Sequence, residues 1–191
     1  MKLGVAVSGK GSNLRNLIER GFEVAAVATN RPSCGGAAVA RERRIALAEL
    51  SLKGFASEQD RDAAMRDFFK EHGVELVVDA GYDRIHTQPF LDAYRGRIIN
   101  VHPSLLPQFG GSMDAVEQAL RSGAKETGAT VHLVTEDLDA GPILTQESVP
   151  VLKDDTVDTL RLRIHQAEYR ILPAAIRLLE ARLAESPAVG Q

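Results

Sequence analysis

Apolar residues recur along this chain with two different periods. Short, mainly apolar runs at residues 2–7, 23–29, 46–50, 76–80 and 98–102 are bounded by Gly, Pro or charge, the pattern of strands buried on both faces. Between the runs, apolar residues return at helical spacing. Leu14, Leu17 and Ile18 follow the first run, an Ala-rich stretch from Gly35 to Arg43 follows the second, and Ala63, Met65, Phe68 and Phe69 recur within 59–72. Strands alternating with helices predict βαβ crossovers, hence an α/β fold: a Rossmann-like open, mostly parallel sheet with helices on both faces. In the C-terminal half, residues 127–134 and 143–151 read as two strands joined by an acidic turn, an antiparallel strand addition. A last helix starts at Thr156 with the stripe Val157, Leu160, Ile164, Ala167 and Ile171, and Pro173 is expected to break or kink it. One domain over residues 1–185 is expected, with 186–191 a frayed tail.

Composition narrows the partners. The 191 residues carry a formal net charge of -3 and a pI near 6.0, so no global attraction to nucleic acid or anionic membrane is expected. The cluster Arg41, Arg43, Arg44 reads as the solvated end of a helix, with cations near its negative pole. A single cysteine, Cys34, forbids an intrachain disulfide, and Met1-Lys2-Leu3-Gly4 lacks the apolar run of a signal peptide, so a cytoplasmic protein is expected. Every apolar run is too short to span a bilayer. Small-molecule substrates are the remaining class.

Candidate chemistry collects where strands end. In Ile98-Ile99-Asn100-Val101-His102-Pro103, Asn100 and His102 are two residues apart and project to one face of a strand. Pro103 cannot extend a central ladder, so the pair stands at the strand's carboxyl end, where open α/β sheets bind ligands. Ser8-Gly9-Lys10-Gly11-Ser12-Asn13 is a Gly-rich strand-to-helix turn. Such a turn either cradles a phosphate on backbone N–H groups or is simply a tight connection with Ser12 as N-cap. Glu168 lies at the margin of the last helix's apolar stripe, where its carboxylate requires an arginine or the polar groups of a ligand.

Together, Ser8-Gly9-Lys10-Gly11-Ser12-Asn13, Asn100-Val101-His102-Pro103-Ser104-Leu105-Leu106-Pro107, Thr130-Val131-His132 and Leu138-Asp139-Ala140-Gly141-Pro142-Ile143 resemble phosphoribosylglycinamide formyltransferase, the folate-dependent enzyme of purine biosynthesis. The resemblance runs in order over nearly the whole chain. It implies a catalytic trio of Asn100, His102 and Asp139, with His132 supporting it. It places the ribonucleotide phosphate on Gly11, Ser12 and Asn13 and the ribose hydroxyls on Glu168. It sets the pterin of N10-formyltetrahydrofolate, the co-substrate, against Tyr82, Asp83, Arg84, Ile85 and His86 and against Thr135, Glu136, Asp137 and Leu138, with Asn100 beside it. The acceptor is the amine of glycinamide ribonucleotide, and the assembly is a monomer or homodimer. A metal on His102, His132 and Asp139 is conceivable from residue types, but the family uses none.

Three positions depart from the family pattern. Gly111-Ser112-Met113-Asp114-Ala115 lacks the family's two histidines, Asp83 replaces an apolar residue beside the pterin, and Glu58 stands where relatives place an arginine toward the folate's glutamate tail. The rival readings are another formyltetrahydrofolate-dependent formyltransferase or hydrolase on the same scaffold, and a non-catalytic nucleotide-binding paralogue. A methionyl-tRNA formyltransferase is not expected, since few residues follow Leu183 to form its C-terminal domain.

Overall fold

A computed structural model describes residues 1–112 and 114–185; Met113 of the departing loop and the tail expected to fray lie outside the described residues. Seven strands form one sheet in the order β3-β2-β1-β4-β5-β6-β7. They are β1 (Leu3–Val7), β2 (Val24–Thr29), β3 (Ala46–Glu49), β4 (Leu76–Asp79), β5 (Ile98–His102), β6 (Glu126–Leu133) and β7 (Ile143–Pro150). The pairs β1–β2, β1–β4, β2–β3 and β4–β5 are parallel, whereas β6–β7 is antiparallel. The sheet is thus open, mostly parallel and extended by an antiparallel C-terminal pair. Chain packing divides the molecule into two compact units.

The first unit, Met1–Val101 with Leu133–Pro142, holds the parallel strands. All residues of β1 and β4 are buried, as the apolar runs Leu3–Val7 and Leu76-Val77-Val78 require, and the one charge, Asp79 of β4, is paired with His86. Its helices are α1 (Ser12–Glu19), α2 (Gly35–Glu42), α3 (Glu58–Glu71) and α4 (Gln88–Ala93). Helix α4 has no clear periodic signal in sequence, yet it supplies the crossover that β4 and β5 need to run parallel. Helix α3 is amphipathic, with Glu58, Gln59, Asp60, Asp67, Lys70 and Glu71 exposed, but charge is not confined to its outer side. Alongside Met65 and Phe69 it buries Arg61 and Asp62, both 0% exposed. They pair with each other at 2.8 Å, and Asp62 Oδ2 also accepts the Thr87 N–H at 2.6 Å, which offsets part of the cost of burying the two charges.

The second unit, His102–His132 with Ile143–Gln191, contains α5 (Ala115–Arg121), β6, β7 and α6 (Val157–Glu185). Helix α6 runs through Pro173 without the expected break. Leu160, Ile164, Ala167 and Ile171 are buried before the proline, and Ala175, Ile176 and Leu179 after it. Continued burial of one apolar stripe outweighs the single backbone hydrogen bond that proline removes.

Candidate active site

Strand β5 delivers Asn100 and His102 at its carboxyl end, with His102 only 6% exposed. Residues 133–142 return beside the same strand. Val134 N–H donates to the Ile98 carbonyl at 2.9 Å, and Leu133 N–H donates to the Pro142 carbonyl at 2.9 Å, pinching the segment into a closed loop. A Cβ on Gly141 would lie 1.8 Å from the Leu133 carbonyl oxygen, so only glycine closes that neck. Asp139 near its tip takes φ 52, a left-handed conformation costly for most side chains. That backbone brings its Oδ1 to 3.5 Å from the Asn100 Nδ2 donor.

His102 is oriented within its own unit. Its Nδ1 lies 3.0 Å from Ser104 Oγ, and Ser104 Oγ donates its one proton to the Gln108 carbonyl at 2.5 Å. Ser104 therefore accepts from His102, which assigns the proton to Nδ1 and leaves Nε2 as the basic nitrogen of the neutral ring. Thr130 Oγ1 holds the Ser104 backbone by donating to its carbonyl at 2.7 Å, while Leu106 N–H donates to Thr130 Oγ1 at 3.1 Å. Sequence reading quoted Ser104 in its motif but gave it no role; its spacing, two residues beyond His102, was the available signal. His132 and Glu168 belong to this same second unit and are 2% and 5% exposed.

In the first unit, Gly11 occupies the N-cap of α1 with φ 76 and no side-chain cap, so the serine-capped alternative is not what forms. The first-turn N–H groups of a helix lack intrahelical acceptors, and here they open on Ser12 and Asn13 at the positive pole of the macrodipole. A Cβ on Gly11 would meet Gly36 Cα at 2.5 Å, which explains the glycine structurally as well.

The 82–86 segment divides by direction. Arg84 and Ile85 are exposed, Ile85 by 64%, and Leu138 on the other segment is 55% exposed. Large apolar side chains standing in solvent are what a flat apolar ligand covers. Thr135, Glu136 and Asp137 also line a cleft of about 410 Å³ with Gln88 and Leu91, within the size range of small-molecule sites. Asp83 and His86 instead turn inward. Asp83 Oδ1 accepts from Asn30 Nδ2 at 2.8 Å, and Oδ2 pairs with Arg31. His86 Nε2 lies 2.9 and 3.0 Å from the Asp79 carboxylate oxygens, its ring stacked between Tyr82 and Phe90. Burial pushes the Tyr82 hydroxyl far above its ordinary pKa, with Asp62, Asp79 and Asp83 acting in the same direction against Arg61, so it stays a neutral donor. The ladder Tyr82, His86, Phe90, Tyr94 has a spacing of four that sequence reading overlooked.

Among the described residues no group of three or more His, Cys, Asp or Glu gathers as a metal site, and no helix is long and apolar enough to cross a membrane.

Comparison with known proteins identifies the family and the fold. A family model described as formyl transferase matches residues 1–176. The phosphoribosylglycinamide formyltransferase of Haemophilus influenzae is 34% identical over 189 residues, covering 95% of this chain and 89% of that protein. The crystal structure of glycinamide ribonucleotide transformylase 1 from Symbiobacterium toebii superposes with a TM-score of 0.90 at 41% identity, covering 95% of this chain and 89% of that one. The trifunctional purine biosynthetic protein adenosine-3 of Chironomus tentans is 38% identical over 186 residues, but this chain spans only 14% of its length. The chain belongs to the formyl transferase family, and within it to the phosphoribosylglycinamide formyltransferases.

Proposed function

We propose that this protein transfers the formyl group of N10-formyltetrahydrofolate to the amine of glycinamide ribonucleotide, as a cytoplasmic enzyme of purine biosynthesis, with residues 1–185 acting as one formyltransferase domain. The observation that carries the reading is the Asn100 carboxamide held 3.5 Å from Asp139, with His102 two residues along the same strand. Exposed Ile85 and Leu138 suit a flat ligand such as the pterin. The bound folate supplies an activated formyl carbon.

Each residue of the trio has a distinct task. Asn100 donates its amide N–H toward the negative charge that develops on the formyl oxygen as the neutral amine attacks. His102, protonated at Nε2, adds a second, charged donor to the same oxygen; Ser104 keeps Nδ1 as the other donor. Asp139 favours the imidazolium by its charge and takes the proton that the attacking nitrogen must lose, for delivery to the departing folate nitrogen. His132 supports the trio from β6. Gly11, Ser12 and Asn13 hold the phosphate, and Glu168 accepts from the ribose hydroxyls. Tyr82, Asp83, Arg84, Ile85 and His86 line the pterin largely through their backbone.

Assay of formyl transfer to glycinamide ribonucleotide tests the reading. Transfer at enzymic rates that vanishes in His102→Ala upholds it. Hydrolysis of the folate without transfer points to the hydrolase on the same scaffold, and binding without turnover to a non-catalytic paralogue.

A further inference from the structure

Ser8, Asn30 and Asp83 form a closed hydrogen-bonded ring among three loops of the first unit. Ser8 Oγ donates to Asn30 Oδ1 at 2.6 Å, Asn30 Nδ2 donates to Asp83 Oδ1 at 2.8 Å, and the Asp83 N–H donates back to Ser8 Oγ at 3.0 Å. Two further contacts brace it: Arg31 pairs with Asp83 Oδ2, and the Ser8 N–H donates to the Gly81 carbonyl at 3.0 Å. The ring joins the carboxyl ends of β1, β2 and β4. Ser8 opens the Gly-rich turn, while Asp83 lies within the 82–86 segment.

We propose that Asp83 is a positioning residue that couples the two substrate sites, so that ribonucleotide on the Gly-rich turn and folate on the 82–86 segment each bind more tightly when the other is present. The inference rests on the functional reading above, which places one substrate on each loop.

The physical argument is one of shared ordering. Ser8 Oγ acts as donor and acceptor at once, so neither loop shifts without breaking two bonds of the ring together. The Asp83 side chain is 11% exposed, so water does not readily replace the lost partners. Burial opposes ionisation of Asp83, yet the bond from Asn30 Nδ2 and the cations Arg31 and Arg84 hold the carboxyl below its ordinary range. The turn is braced on its other flank as well, since the Gly36 N–H donates to the Gly9 carbonyl at 3.0 Å. A ligand that immobilises one loop thereby immobilises its neighbour, and the second ligand meets a site already ordered. Linkage requires the gain to be reciprocal.

Calorimetric titration with glycinamide ribonucleotide and tetrahydrofolate, the product folate that carries no formyl group, tests this. In the wild-type protein, saturating ribonucleotide should lower the Kd for tetrahydrofolate by about fivefold or more, with the same factor in the reverse order. In Asp83→Ala the factor should fall to about one while each ligand alone still binds. Asp83→Asn, which keeps an acceptor for Asn30 but no charge for Arg31, should give an intermediate factor and serves if the alanine variant does not fold. A purely structural role would lower the melting temperature and leave the coupling factor unchanged; that result, or independent binding in the wild type, overturns the proposal. Wild-type protein that binds neither ligand overturns the functional reading along with it.

Discussion

Asp79 on β4 and Asn100 on β5 stand opposite one another in the parallel register, yet their side chains are committed to different partners. Asp79 accepts from His86 at 2.9 Å, and Asn100 donates to Asp139 at 3.5 Å. A buried structural ion pair is thus the immediate neighbour of the proposed oxyanion donor. The two strands present side by side the group that anchors the 82–86 segment and the proposed oxyanion donor.

The first pair makes stability depend on pH. Burial opposes the His86 imidazolium, but the charge and hydrogen bond of Asp79, with Asp62 adding and Arg61 opposing, leave its folded pKa raised. A raised folded pKa gives stabilisation that is complete below the unfolded value of about 6.5 and is lost as pH rises through the folded one. Urea melts from pH 6 to 9 should show the wild type weakening with rising pH and Asp79→Asn showing no such decline. Parallel slopes in the two proteins would refute the assignment.

Turnover should depend on the trio far more than binding does. His102→Ala and Asp139→Ala are each expected to lower kcat by about two to four orders of magnitude, with KM changing much less, because both groups act mainly in the transition state. Near-normal kcat in either variant would remove the mechanism.

Ser12→Asp separates helix stability from phosphate binding. A carboxylate in the first turn of α1 suits the macrodipole and should leave the melting temperature unchanged or stabilise the fold by about 0.3–1 kcal/mol. The same charge repels a phosphate, so KM for the ribonucleotide should rise at least tenfold with that for folate little altered. Equal increases in both would place the phosphate elsewhere.

Glu168→Gln tests the ribose contact. Size and part of the hydrogen bonding are kept, so the apo protein should melt within about 1 kcal/mol of wild type, while the ribonucleotide-induced rise in melting temperature shrinks. A collapsed apo melting point with an undiminished ligand shift would show Glu168 to be a structural partner instead.

Asp62→Ala leaves the Arg61 guanidinium, 0% exposed, with only the largely exposed Glu58 carboxylate 3.8 Å away. A loss of about 3–5 kcal/mol is expected in chemical denaturation, and Arg61→Met combined with Asp62→Ala should recover much of it. A double variant no more stable than the single would argue against an ion pair as the cause.

Much of this molecule is legible in one dimension because the relevant forces are local or periodic. The short apolar runs Leu3–Val7 of β1 and Leu76-Val77-Val78 of β4 predict strands covered on both faces, since a strand with one wet face alternates apolar with polar residues. The two-residue spacing of Asn100 and His102 before Pro103 placed them at a strand's carboxyl end for the same reason of pleat and missing N–H. What the sequence could not decide depends on partners distant in the chain. Pro173 reads as a helix breaker until the burial of Leu172, Ala175 and Ile176 is known. Nothing local marks Arg61 and Asp62 as buried; only the fold pairs them with each other and brings Asp62 to the Thr87 N–H. Asp83 reads as an acid beside a pterin until the fold brings Ser8 and Asn30, 75 and 53 residues away, to its backbone and side chain. The identity of a polar residue is local information, but its protonation, direction and task are set by whichever group completes its hydrogen bonds, and only the tertiary structure supplies that group.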